Sequence, residues 1–184
     1  MSLETESQDE KFIRRCIELS QEAVNKGDKP FGSVITKDGQ VIAEASNDSE
    51  NRVNYHAEIL ALNKTHDILG TIDLSDCVLY SNCEPCPMCS FMLREFKVGK
   101  VVFAARSLGM GGYSKWGILQ DEELERFAPY FSKPPEVIAG LLEDEALEVF
   151  NKTPLWMFGS PARTGYAKGV ASGQLKNNSA LLSL

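Results

Sequence analysis

The sequence predicts an α/β protein built as a three-layer α/β/α sandwich. Segments with a helical spacing of apolar residues alternate with short β-rich segments in the order αββαβαβ(α)βα, which is typical of a sheet covered by helices on both faces. Residues 101–105 are apolar throughout, as strands between two helix layers tend to be. A chain of 184 residues is long enough for one domain with a buried core and short for two.

The first elements are predicted from apolar spacing and from one turn. Apolar residues recur at helical intervals over residues 9–26, and Gly27 stands where such a helix ends. Residues 31–37 and 41–45 are β-rich. Asp38-Gly39 between them is a strong hairpin signal, so these two strands are expected to pair.

The middle of the chain alternates between helices and buried strands. After a polar loop, residues 56–67 have the apolar pattern of a helix, and residues 77–80 form a short apolar strand. A cysteine-rich run opens a helix over residues 88–96, and a strand over 101–105 follows. The remaining predicted elements are a helix over 121–127, a strand within 136–142 and a helix over 143–150.

Residues 1–158 are predicted to form a single domain. Residues 159–184 are rich in Gly, Ala, Ser and Asn, and we expect a tail that is partly mobile or packs on a partner subunit.

Charge and cysteine content restrict the classes of partner and the compartment. The formal net charge is −7, which argues against a nucleic acid as the main partner, because binding phosphates normally requires a basic face. No apolar stretch approaches the roughly 20 residues that span a bilayer, and the acidic N-terminus does not resemble a signal peptide. Three of the five cysteines lie within residues 83–89, which suits reduced metal-binding thiols in a cytoplasmic protein.

One pair of motifs carries the chemistry. His56-Ala57-Glu58 is followed by Pro85-Cys86-Pro87-Met88-Cys89, the H-x-E…P-C-x-x-C pattern of zinc-dependent nucleobase deaminases. One imidazole and two thiolates bind Zn²⁺ in tetrahedral geometry and leave the fourth position open, as catalytic zinc sites do. We therefore predict His56, Cys86 and Cys89 as ligands of one Zn²⁺ per subunit, with Glu58 as the proton carrier beside the open position.

Two other interpretations of these motifs stay open at the level of the sequence. Cys83, Cys86 and Cys89 share an x₂ spacing that is also compatible with an iron–sulfur cluster, although Cys16 and Cys77 lie in apolar segments and are poor candidates for a fourth ligand. Alternatively, the zinc is structural in a binding module, which requires four protein ligands and leaves Glu58 without a role.

The chain resembles the cytidine deaminase-like superfamily, and within it the branch of guanine deaminases and tRNA wobble adenosine deaminases. The segments that carry the resemblance lie between residues 12 and 105 and are Pro30-Phe31-Gly32-Ser33-Val34-Ile35, Ala43-Glu44 with Asn47, His56-Ala57-Glu58, Cys83-Glu84-Pro85-Cys86-Pro87-Met88-Cys89 and Lys100-Val101-Val102-Phe103-Ala104-Ala105. The resemblance implies a mixed five-stranded sheet, a homodimer, and hydrolytic deamination in which zinc-bound hydroxide attacks the amidine carbon, Glu58 shuttles the proton and ammonia leaves. It also implies that Asn47 contacts the substrate.

The substrate is less well defined than the reaction. A small guanine-type base or nucleoside is favoured, and the alternatives are an adenosine in tRNA or another amino-heterocycle of the cytosine or pterin type. Phe31 and Tyr55 are further candidate substrate contacts, and Tyr55 either stacks on a ring or fills space. Trp156 lies in an aromatic segment that either closes over the site as a lid or covers the edge of the core.

Overall fold

Five strands form one mixed sheet in the computed structural model, which describes residues 6–153 of the chain. The spatial order is β2-β1-β3-β4-β5. Strand β1 pairs antiparallel with β2 and β3, whereas β3–β4 and β4–β5 are parallel pairs. The strands are β1 Gly32–Lys37, β2 Gln40–Ser46, β3 Cys77–Cys83, β4 Lys100–Ala105 and β5 Glu136–Ala139. The predicted hairpin and the predicted apolar parallel strand β4 are both confirmed.

Four α-helices cover the two faces of the sheet. They are α1 Gln8–Asn25, α2 Ala57–Leu69, α3 Pro87–Glu95 and α4 Glu143–Asn151. Buried side chains of α1 and α4 form one hydrophobic cluster with the sheet, which includes Phe12 and Phe150. Buried side chains of α2 and α3, among them Leu62 and Leu93, form the cluster on the opposite face. The three-layer α/β/α architecture is therefore confirmed. None of the helices within residues 6–153 has the length and apolar character needed to cross a membrane.

The predicted helix over residues 121–127 is present as a 3₁₀ helix and not as an α-helix. Two short 3₁₀ helices follow each other here, Ile118–Gln120 and Glu122–Phe127, and the second covers the predicted segment. The second of them buries none of its residues. Because most helical stability in proteins comes from packing an apolar face, an acidic segment without a buried face has little to hold it in an α-helix.

Strand β3 is longer than the predicted strand over residues 77–80 and continues through polar residues. Asn82 is fully buried, yet its side chain is satisfied: Oδ1 accepts from the Gly32 amide at 2.8 Å, and Nδ2 donates to the Pro30 carbonyl at 2.9 Å. A buried polar side chain is tolerated when its hydrogen bonds are made. The end of β3 thus holds the segment that leads into β1.

The C-terminal ends of β2 and β3 lie at the same edge of the sheet. Ser46 at the end of β2 pairs with Gly32, and the neighbouring Ser33 pairs with Ser81 near the end of β3. Helices α2 and α3 begin after these two strands. Their N-termini therefore meet at one edge, where α/β proteins commonly bind ligands.

Candidate active site

The three predicted metal ligands lie together at the N-termini of α2 and α3. His56 and Cys86 are the N-cap residues of these helices, and neither side chain caps its own helix. The His56 Nδ1 atom lies 3.6 Å from Cys86 Sγ and 3.5 Å from Cys89 Sγ, and the two sulfurs are 3.6 Å apart. Ligands held at usual Zn–S and Zn–N distances in a tetrahedron are separated by about 3.5–3.8 Å. The residues present therefore fit a zinc ion.

The ligand set is limited to three residues. Within residues 6–153, His56, Cys86 and Cys89 form the one group of at least three His, Cys, Asp or Glu side chains close enough to share a metal. Cys83 is buried in the hydrophobic cluster beneath α1 and α4 and does not belong to this group. A set of three ligands leaves one position for another molecule, as in a catalytic zinc site and unlike a closed structural site.

The contacts among the three candidate ligands favour the thiolate form of Cys86. The hydrogen bond with Cys89 lowers the pKa of Cys86 to about 4; burial opposes this change, and the hydrogen bond with His56 assists it. The same contact keeps the proton on Cys89 and raises the pKa of that thiol. The hydrogen bond with Cys86 also raises the pKa of His56. The thiolate is the form of cysteine that binds metal ions.

Glu58 lies in the first turn of α2 and is almost completely buried, with 5% of its surface exposed. Burial, followed by the nearby charge of Cys86, raises the pKa of Glu58 to about 7. A carboxyl group with a pKa near neutrality can take up and release a proton under physiological conditions. Glu58 therefore has the properties needed to transfer protons beside the three ligands.

Asn47 follows β2 directly and is 2% exposed. Its Nδ2 atom donates to Asp28 Oδ1 and to Ser49 Oγ, both at 2.8 Å, whereas its Oδ1 atom is buried without a hydrogen-bond partner. The amide of the next residue, Asp48, donates to the carbonyl of Tyr55 at 3.0 Å. This contact holds the start of the loop beside the residue that precedes His56.

The other predicted substrate contacts remain predictions. Tyr55 is half-buried, and the guanidinium of Arg52 lies 5.4 Å from the centre of its ring. The ring of Phe31 contacts that of Phe150 on α4, with 5.8 Å between their centroids. Trp156 and the tail over residues 159–184 lie outside the described residues.

Glu84, within the Cys83–Cys89 motif, is a further functional candidate. It is 4% exposed and immediately precedes the Pro85-Cys86 pair. Its Oε2 accepts from the Ser107 amide at 2.8 Å, and its Oε1 accepts from the amides of Tyr113 and Ser114 at 3.1 and 2.6 Å. The Ser114 hydroxyl donates to the same carboxylate. Glu84 thus attaches the loop over residues 107–117 to the metal-binding segment.

Two glycines allow this loop to approach so closely. A Cβ atom on Gly111 would lie 1.9 Å from Glu84 Oε1, and one on Gly112 would lie 2.0 Å from Ser90 Oγ. Both separations are too short for real atoms. The Gly111-Gly112 pair is therefore a signal in the sequence that predicts close contact, although it does not name the partner.

Arg94 fixes the segment that follows the loop. The residue is 1% exposed, and its guanidinium donates to the carbonyls of Ile118 and Asp121 through one nitrogen and to the carbonyl of Ser132 through another. Burial lowers the pKa of Arg94 against the attraction of Asp121 and Glu125. These side-chain hydrogen bonds of Arg94 thus hold residues 118–132 against α3.

Known proteins with similar sequences include two kinds of deaminase. The guanine deaminase of Bacillus subtilis (strain 168) is 48% identical over 99 residues, which cover 52% of this chain and 64% of that protein. The chain thus spans less than two thirds of the length of this relative. The tRNA-specific adenosine deaminase of the same organism is 36% identical over 143 residues, which cover 76% of this chain and 84% of that protein.

Solved structures show the same two kinds of protein. A deaminase from work on adenosine-to-inosine editing at the wobble position of transfer RNA has a TM-score of 0.68 at 27% identity, and the match covers 76% of this chain and 98% of that one. The guanine deaminase of Nitrosomonas europaea has a TM-score of 0.65 at 27% identity, with 78% and 82% covered. Both matches support the cytidine deaminase-like fold.

The family match covers the strands and helices that build the site. Residues 6–105 match the cytidine and deoxycytidylate deaminase zinc-binding region, and these residues include the three candidate ligands and Glu58. With the fold and the ligand geometry, this match shows that the chain belongs to the zinc-dependent cytidine and deoxycytidylate deaminase family.

Proposed function

We propose that the protein is a zinc-dependent hydrolytic deaminase that acts on a guanine-type base. The observation that carries the proposal is the group of three candidate ligands, His56, Cys86 and Cys89, next to the buried carboxyl group of Glu58. The reaction replaces an exocyclic amino group on a cyclic amidine by oxygen, with water consumed and ammonia released.

Metal binding and proton transfer are assigned to different residues of the chain. His56, Cys86 and Cys89 would hold the zinc ion, which supplies an activated water molecule at neutral pH when it is bound. Glu58 takes a proton from the water as its oxygen bonds to the amidine carbon, and it delivers a proton to the ring nitrogen. It then takes the second proton from the hydroxyl group now on the carbon and gives it to the amino group, so that the C=O bond forms as the C–N bond breaks and ammonia leaves. One carboxyl group can perform these steps because it alternates between base and acid.

Two observations support guanine over the alternatives. The net charge of −7 disfavours a polyanionic substrate, and the identity to a guanine deaminase reaches 48% over 99 residues. An adenosine in tRNA is the second candidate, because the relative that acts on tRNA aligns over a longer part of this chain, 143 residues.

We also propose a homodimer with one zinc ion per subunit in the cytoplasm. Met88 and Phe91 on α3 are 38% and 45% exposed, and apolar side chains grouped on one helix are candidates for a protein interface. A clustered set of thiolate ligands is compatible with a reducing compartment. Sedimentation equilibrium tests the dimer: Phe91→Ser should shift the protein toward the monomer, and a monomeric wild type contradicts the proposal.

The decisive experiment is an assay of ammonia release by the zinc-loaded protein. The substrates are guanine, guanosine, adenine, cytosine, cytidine and a pterin, and an anticodon stem-loop carrying adenosine is tested for inosine formation. Guanine should be converted fastest. Glu58→Gln should retain zinc and lose about 100-fold or more in kcat, the usual contribution of acid–base catalysis. Conversion of the stem-loop without conversion of guanine would favour the second candidate, and no conversion of any substrate would reject the proposal.

A further inference from the structure

We infer that Asp28 is a positioning residue that fixes the side-chain amide of Asn47 so that the oxygen, and not the nitrogen, is available to the substrate. This inference rests on the proposed function, in which Asn47 contacts the base. Its consequence is selectivity: the site accepts a hydrogen bond at this position and therefore favours rings that present an N–H group there.

The hydrogen bonds around Asn47 determine the orientation of its amide. An ionised carboxylate can only accept, so the group of Asn47 that faces Asp28 Oδ1 at 2.8 Å must be the NH₂. The Ser49 hydroxyl donates to Asp28 at 2.9 Å, and its lone pairs accept from Asn47 Nδ2 and from Lys29 Nζ, each at 2.8 Å. Both hydrogens of the NH₂ group are therefore used. Rotation of the amide by 180° would lose both bonds.

Asp28 is itself held in place. Its Oδ1 accepts from the Lys29 amide at 2.6 Å, and its Oδ2 accepts from the Glu50 amide at 2.9 Å. Burial raises the pKa of Asp28, but the hydrogen bonds from Glu50, Lys29, Asn47 and Ser49 together lower it further, so the net pKa lies below its usual value. The group is consequently an anion at neutral pH and cannot act as a donor to Asn47.

The oxygen of the Asn47 amide lacks a hydrogen-bond donor. Asn47 Oδ1 is buried and has no hydrogen-bond partner, and a buried polar atom in this condition is uncommon and destabilising. Asn47 lies in the connection between β2 and α2, and the bond between Asp48 and Tyr55 holds it near His56. Oδ1 thus lacks a partner among the described residues, and a hydrogen-bond donor on a base bound beside His56 would supply one.

A double variant in which the side chains of Asp28 and Asn47 are swapped tests the inference, because Asp and Asn have the same shape. Asn47→Asp places two carboxylates against each other, and kcat/KM for guanine should fall about tenfold or more, the effect of losing one hydrogen bond to a buried group. Adding Asp28→Asn should recover part of the loss, because the new amide donates to the new carboxylate and an oxygen still faces the base; recovery is incomplete because the new NH₂ also faces the Lys29 amide, which donates to Asp28 Oδ1 in the wild type. Asp73→Asn is the matched control: Asp73 also accepts from a backbone amide, that of Ser75, but in another loop. It should recover nothing.

A second measurement does not depend on turnover. The side-chain NH₂ protons of Asn47 should exchange slowly with water in the wild type, and faster in Asp28→Ala but not in Asp73→Ala. The inference is overturned if the NH₂ protons of Asn47 exchange rapidly with water in the wild type. It is also overturned if the double variant, Asn47→Asp with Asp28→Asn, is no more active than Asn47→Asp alone. Neither result affects the deaminase proposal. A zinc-loaded wild type that converts no substrate rejects the proposed function instead, and the proton exchange then still decides whether Asp28 orients Asn47.

Discussion

Replacing Glu84 by glutamine should destabilise the protein although the shape of the side chain is unchanged. Every polar contact of the carboxylate described above is with a donor, and the two oxygens serve different parts of the loop. In Glu84→Gln, one oxygen becomes an NH₂ group. The less costly orientation points this NH₂ toward the Ser107 amide, because the opposite one would confront the amides of both Tyr113 and Ser114.

The magnitude follows from these contacts. An unsatisfied buried amide costs about 2 kcal/mol, and the bonds that remain weaken by about 1 kcal/mol because a neutral acceptor replaces a charged one. The free energy of unfolding should therefore fall by about 3 kcal/mol. For a protein of this size such a loss lowers Tm by roughly 9 °C, at about 3 °C for each kcal/mol.

The assay is urea unfolding of the zinc-saturated protein, combined with amide hydrogen exchange. Protection should decrease at Ser107, Tyr113 and Ser114, which donate to the carboxylate. The exposed Glu95 provides the matched control, and Glu95→Gln should change the unfolding free energy by less than about 0.5 kcal/mol. If Glu84→Gln behaves like this control and the three amides stay protected, Glu84 does not anchor the loop.

Three further perturbations test other parts of the structure. Arg94→Lys should lower the unfolding free energy by about 2 kcal/mol in urea, since an ammonium group cannot reach the same separated carbonyls; the exposed Arg126→Lys is the control, and equal effects would contradict a special role for Arg94. Asp9 is partly buried, which raises its pKa, but hydrogen bonds from Tyr80 and Lys100 lower it below the ordinary value of 3.8. Its stabilising contribution is therefore present above pH 4 and is lost as the pH falls through the lowered pKa. Asp9→Asn should destabilise the protein at pH 7 but have a much smaller effect near pH 2, and a destabilisation independent of pH would refute this assignment. Cys89→Ser should reduce zinc content, measured by elemental analysis, far below one ion per subunit, whereas Cys77→Ser should not; full occupancy in Cys89→Ser would exclude Cys89 as a ligand.

The parts of the molecule that could be predicted are those with local signals. The spacing of apolar residues reports which face of a helix or strand is buried, and this was sufficient for the three-layer fold. The candidate metal ligands could be identified because His56 lies near Glu58 in sequence and Cys86 near Cys89, each pair at the start of one helix. That the N-termini of α2 and α3 lie side by side could be known only from the order of the strands in the sheet.

The contacts that could not be predicted join distant residues through irregular loops. Asp28 reaches Asn47 across 19 positions, and Glu84 reaches Ser107 across 23. No periodic pattern connects such residues, because the path of each loop is set by its hydrogen bonds and not by an apolar face. The segment near Glu122 forms a 3₁₀ helix and not an α-helix for a related reason: its acidic sequence favours a helix locally, but the fold provides no surface for an α-helix to cover.

The end of β3 has a consequence for how the length of this chain can vary. Asn82 fixes the segment before β1, Glu84 fixes the loop after β4, and Cys86 and Cys89 follow within five residues. Adding or deleting one residue between Asn82 and Cys89 would turn the anchoring side chain of Asn82 or Glu84 to the opposite face of the strand. It would also displace the sulfur atoms of Cys86 and Cys89. Val53, with 85% of its surface exposed, lies in a loop that can accept insertions. Changes in length should therefore be tolerated better at Val53 than between Asn82 and Cys89.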